Sequence, residues 1–166
     1  MSEVHIHLLI THLPIFGSIL GGLVLAYALW SKSNQTKIAA YGLLIISTFG
    51  ATIAYLTGEG AEEAVEDIQG VAEKMIEQHE DMALIALVSL IILGAISLFG
   101  MFLSLKNHPL SRTIAFVALA VSLISFGLVA RTGYLGGQIR HTELNPNDSN
   151  QLGQGNEGGE KDSDED

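Results

Sequence analysis

Residues 82–105 read MALIALVSLIILGAISLFGMFLSL, with Glu80-Asp81 before them, Lys106 after them, and no charged side chain between. A helix needs about 20 apolar residues to cross ~30 Å of hydrocarbon, and this run is long enough. Working outward, residues 8–30 and 38–57 form two more such runs, and 113–135 forms another, broken only by Arg131. The chain of 166 residues is 48% hydrophobic and 16% charged, with a mean hydropathy of +0.38. These values lie on the membrane side of soluble averages. The first and third runs are followed by short connections, so successive helices should be antiparallel neighbours. The sequence therefore predicts an all-α protein: a four-helix transmembrane bundle over residues 1–143, followed by an acidic tail, 144–166. The tail is Asn, Gln, Gly, Asp and Glu with almost no apolar residue, a composition that predicts disorder.

Charge sorts to the two sides. One set of connections holds Lys32, Lys37, Lys106 and Arg112 without an acid; all eighteen acidic residues fall on the other side, with five of the six histidines. Lysine and arginine in short loops mark the cytoplasmic side. Both termini are thus expected outside, in the periplasm of a bacterial inner membrane. A net charge of −10 gathered on that outer face argues against nucleic acid or anionic lipid as its partner. Met1-Ser2-Glu3 supplies no basic region ahead of the first apolar run, so that run is expected to remain as a span. Cysteine is absent, which excludes disulfides and thiolate ligands.

Local signals add detail. Gly17, Ser18, Gly21 and Gly22 have the small-residue spacing that lets another helix approach closely. Pro14, inside the first run, predicts either a helix starting there with Thr11 or His12 as cap, or a kink. The segment 61–78 carries apolar residues at helical spacing with acids between, predicting one or two short amphipathic helices over the outer mouth. The fourth helix is expected to end at Gly133.

Every span contributes polar groups to the outer rim. His5, His7 and His12 come from the start of the first helix and Glu59 and Glu62 from the end of the second. His79 and Glu80 come from the start of the third, and Arg131, Arg140 and His141 from the end of the fourth. His5 and His12 share one helix face, which leaves His7 on another. Taken singly, each has an ordinary explanation: interfacial histidine, solvated carboxylate, snorkelling arginine. Their convergence points instead to ligand chemistry, since imidazole is the commonest metal ligand and a carboxylate orients it. One set is haem b, with His12 and either His79 or His141 as axial ligands and Arg131 or Arg140 for the propionates. Another is a copper, zinc or iron site drawn from His5, His7, His12, His79, His141, Glu59, Glu62 and Glu80. A third reading has no cofactor: a polar rim on an accessory subunit that docks a redox protein or a larger membrane complex. Hydrolytic motifs are missing, since the chain has neither Gly-x-Ser-x-Gly nor His-Glu-x-x-His. An electron carrier or binding protein therefore fits the residues better than an enzyme.

The stretch from His7 through His12 to Pro14 has the form His-x4-His-hydrophobic-Pro. In this it resembles a family of bacterial four-span membrane proteins built on a domain of unknown function. Small Bacteroidetes members resemble the chain at three further places: Thr57-Gly58-Glu59 with Ala61-Glu62, then Gln78-His79-Glu80, then Gly136-Gly137-Gln138-Ile139-Arg140-His141. Some members of the family are joined to cytochrome c modules, so the resemblance implies a redox setting. Broader members often carry Pro directly after the first His, where this chain has Leu8.

Overall fold

A computed structural model describes residues 3–58, 60 and 73–140. It contains α1 (Glu3–Ile10), α2 (His12–Ser31), α3 (Asn34–Leu56), α4 (Glu73–Leu105) and α5 (Ser111–Arg140). Four stretches are long and apolar enough to cross a membrane: His5–Ser31, Asn34–Leu56, Lys74–Leu105 and Ser111–Gln138. The chain is a multi-pass helical bundle. Packing runs α2 on α3, α3 on α4, α4 on α5 and α5 back on α2, so the four long helices close a ring.

Side-chain placement is compatible with a hydrocarbon solvent. Large apolar residues point outward all round, among them Leu23, Phe49, Leu98, Phe102 and Ile124, and Trp30 is 80% exposed. The interior mixes a few large side chains, Leu25, Tyr41, Leu44, Leu90 and Leu93, with many small groups: Ala28, Ala40, Ala118, Ser18, Ser47, Ser97, Ser122 and Ser125 are all buried. Hydrocarbon solvates the outer leucines and phenylalanines as well as a core would, so helix association rests on close backbone approach instead. Gly17 is such a point, since a Cβ there would stand 2.7 Å from Ser47 Cβ and 3.2 Å from its Cα. The glycines of the first run thus serve helix packing.

Pro14 produces a break and not a fresh start. Thr11 is itself helical, at φ −60° and ψ −24°, and its side chain makes no cap; the hydroxyl donates back to the Leu8 carbonyl at 3.1 Å. The buried Pro14 carbonyl accepts from Ser18 Oγ at 2.7 Å and Ser47 Oγ at 3.2 Å, which ties α2 to α3 at the break.

Two boundaries differ from the sequence expectation. The third span does not start at residue 82: α4 begins at Glu73, so residues 73–78 belong to a long helix and not to a separate surface helix. Ile76 and His79 lie on its covered side, while Glu77, Glu80 and Asp81 are exposed, which is how a charged extension stays helical at the bundle rim. The fourth span does not end at Gly133 but continues to Arg140 through Gly136 and Gly137. Glycine inside a helix is tolerated where a neighbour comes close, and His79 does so at Gly136. The rest of the 61–78 segment and the acidic tail lie outside the described residues.

At the end opposite the histidines, two tight turns interlock. Lys32 and Asn107 adopt left-handed conformations, φ 56° and 51°, each closing a helix. Ser33 caps α3 by accepting from Thr36 N at 3.2 Å. Asn34 Nδ2 donates to the Ser104 carbonyl at 2.8 Å and to Asn107 Oδ1 at 3.2 Å, fastening one turn to the other. His108 has a structural part here, since its Nδ1 accepts from Leu110 N at 3.2 Å. Lys37 is not in a loop with the other basic residues; it is buried in the first turns of α3.

Candidate functional site: a pair of histidines at one end of the bundle

The starts of α1 and α4 and the ends of α3 and α5 meet at one end of the bundle. His7, on α1, donates from Nδ1 to the Ala54 carbonyl of α3 at 2.9 Å. The Thr57 hydroxyl oxygen lies 3.4 Å from the same nitrogen. His79, on α4, donates from Nδ1 to the Thr132 carbonyl of α5 at 3.0 Å. Each ring therefore hangs from a backbone carbonyl of a neighbouring helix.

Ala54 lies in the last turn of α3, where carbonyls lack a complete set of intrahelical partners. Thr132 lies more than two turns before the end of α5, so its carbonyl takes the ring bond from within the helix. Glycines give the rings room. A Cβ on Gly136 would come within 3.0 Å of His79 Cε1 and 3.2 Å of its Nδ1, so the ring lies on the bare helix backbone. Gly58 stands beside His7 in a looser version, with 3.8 Å from a Cβ to Cε1. Spending Nδ1–H on a carbonyl fixes the tautomer and leaves the lone pair on Nε2. Neither Nε2 has a hydrogen-bond partner among the described residues.

The other rim residues are placed differently. His12 is exposed, bonds the Leu8 carbonyl of its own chain segment at 3.0 Å, and stacks on Phe16 at 6.4 Å between ring centres. His7 and His79 are each held on the carbonyl of a neighbouring helix, whereas His12 bonds its own segment. His5 is exposed, as is Glu80. Arg131 is exposed and lies over the Tyr134 ring at 5.8 Å. Arg140 ends α5, and His141, Glu59 and Glu62 lie outside the described residues. Among the described residues no group of three or more His, Cys, Asp or Glu is arranged to hold a metal ion. Among the described residues, His7 and His79 are imidazoles bonded to a neighbouring helix.

The seats of the rings are what the sequence left out: the Ala54 and Thr132 carbonyls, Thr57, Gly58 and Gly136. A backbone carbonyl leaves no mark in a sequence. The glycines did leave one, as Thr57-Gly58 and Gly136-Gly137 in otherwise apolar helix ends. Compared with protein-family models, with curated proteins and with solved structures, the chain matches none.

Proposed function

We propose that this bundle is an electron carrier of a bacterial inner membrane that binds iron, as haem b or as an ion, through His7 and His79. The observation that carries the reading is the paired Nδ1-to-carbonyl bonds on two different helix pairs. A ligating histidine donates its other ring nitrogen to an outer partner, which fixes the ring and raises its basicity. Here both rings are held that way, both are only partly exposed, and both keep Nε2 for a ligand. Iron held by these rings would supply a one-electron couple, its potential tuned by its ligands and by burial. The chain's own part is to fix two rings from separate helices and to exclude solvent from one side of them. Copper or zinc fits the same imidazoles, and His141, Glu59 and Glu62 are further ligand candidates from the sequence.

The basic residues exposed at the opposite end, Lys32, Lys106 and Arg112, support a histidine end facing the periplasm. The visible spectrum of the detergent-purified chain, before and after dithionite, tests the reading, together with its metal content. A Soret band with sharpened α and β bands on reduction supports haem. Stoichiometric metal without a Soret band supports an ion. Absence of both overturns the proposal.

A second reading rests on Glu77, Glu80 and Asp81, exposed on the rim extension of α4. They would dock the chain as an accessory subunit to a redox protein or larger membrane complex. Co-purification lost on reversing these charges, in a protein without metal or haem, would favour it.

A further inference from the structure

The end remote from the histidines holds a cation that the imidazole pair does not use. Lys37 is only 9% exposed, and its Nζ donates to the Ser111 hydroxyl at 3.1 Å in buried surroundings. No acid is in a position to neutralise it within the spans, since the sequence has no Asp or Glu between residues 4 and 58 or between 82 and 142. The charged group that acts on it is Arg112, of the same sign. An ionisable side chain inside a membrane bundle ordinarily has a partner, and a buried charge without one is costly.

Neighbouring polar atoms lack partners too. Asn34, Lys37 and Tyr41 share one face of α3, and Ser97, Gly100 and Ser104 share one face of α4, by helical spacing. The two faces meet: Asn34 Nδ2 bonds the Ser104 carbonyl at 2.8 Å, and the Tyr41 ring lies against Gly100. At this meeting the hydroxyls of Tyr41, Ser97 and Ser104 are buried without a hydrogen-bond partner, and all three residues are 0% exposed. Each of these groups can donate. What is missing is an acceptor that also carries negative charge.

We propose that Lys37, Ser111, Tyr41 and Ser104 form a binding site for a phosphate-type oxyanion, either inorganic phosphate or the headgroup of an anionic lipid. A neutral carbonyl ligand would satisfy the hydroxyls and leave the ammonium uncompensated, so charge selects the anion. α3 and α5 both begin at this end, which turns their positive poles toward the site. Exposed Lys32, Lys106 and Arg112 draw anions to the same rim.

The test uses the full chain, delipidated in maltoside detergent, and follows its melting temperature by Trp30 fluorescence. The probes are inorganic phosphate, dioleoyl phosphatidylglycerol, and dioleoyl phosphatidylcholine, at ionic strength matched with chloride. One phosphate probe is expected to raise Tm by about 5 °C at saturation, with no response to phosphatidylcholine or chloride and none in Lys37→Met. A response to inorganic phosphate identifies a soluble anion; a response to phosphatidylglycerol alone identifies a headgroup. Tyr41→Phe keeps the ring against Gly100 and removes the hydroxyl, and should weaken the apparent affinity about tenfold. That variant decides the matter even if Lys37→Met does not fold. No shift with either probe, an equal shift with phosphatidylcholine, or wild-type affinity in Tyr41→Phe overturns the proposal.

Discussion

At the histidine end, ring nitrogens reach across helix boundaries and end on backbone carbonyls. At the basic end, an ammonium and several hydroxyls are enclosed with too few acceptors. Both ends use a glycine to seat a ring: Gly136 beneath His79, Gly100 beneath Tyr41. The seats differ in tightness. The Gly136 contact leaves a Cβ at 3.0 Å from an imidazole edge in a partly open site, while the Gly100 position is already filled by the phenol of a residue that is 0% exposed. One end is arranged so that lone pairs stay free, the other so that donors stay unmet. The same helical scaffold can thus prepare opposite chemistries at its two ends.

The comparison breaks most visibly at the histidines. On the proposed reading, His79→Ala and His7→Ala should each abolish iron or other metal binding, read as loss of the Soret band or of metal stoichiometry, with helical circular dichroism unchanged. If either variant keeps full occupancy, the two-ring site is wrong. Next in size is Gly100→Ala. A methyl there meets the Tyr41 ring, and overpacking of this kind costs about 2 kcal/mol, seen as a lower thermal midpoint with metal or haem content per folded molecule unchanged. Gly136→Ala should do the reverse, leaving the midpoint close to wild type and weakening metal or haem retention about tenfold by tilting His79. Equal behaviour of the two glycine variants would erase the distinction between the ends. His12→Ala should change least, with cofactor content as in wild type, because that ring turns to its own segment and to Phe16. Membrane sidedness is checked by single cysteines in this cysteine-free chain. Glu77→Cys should react with an impermeant maleimide from outside intact cells and Asn107→Cys should not.

The four spans were legible because hydropathy over a helix length is a summed property, insensitive to any one residue. The packing role of Gly17 and its neighbours was legible for a related reason: only small residues allow backbones to touch in lipid. The helix ends were not. Residues 73–78 read as part of a separate amphipathic helix and Gly133 as a terminus, yet buried Ile76 and Leu135 and the partly buried His79 belong to the long helices α4 and α5. Nor could the sequence choose among the histidines. His7 and His12 lie about 140° apart around a helix, so one of them had to face away, and spacing alone cannot say which face meets α3. The carbonyls of Ala54 and Thr132 hold His7 and His79 against neighbouring helices and leave His12 on its own segment, and those are facts of three-dimensional packing.

Close helix contacts at small residues, with many large side chains facing outward, have a consequence for how this chain tolerates change. In a water-soluble protein a substitution library reports intolerance at the biggest side chains. Here the ranking should invert. Leu23, Phe49, Phe102 and Ile124 face acyl chains and should exchange freely among apolar types, while Gly17, Ser47 and Gly100 should refuse almost any replacement. The sequence record of such a bundle would preserve its smallest letters and let its largest ones drift.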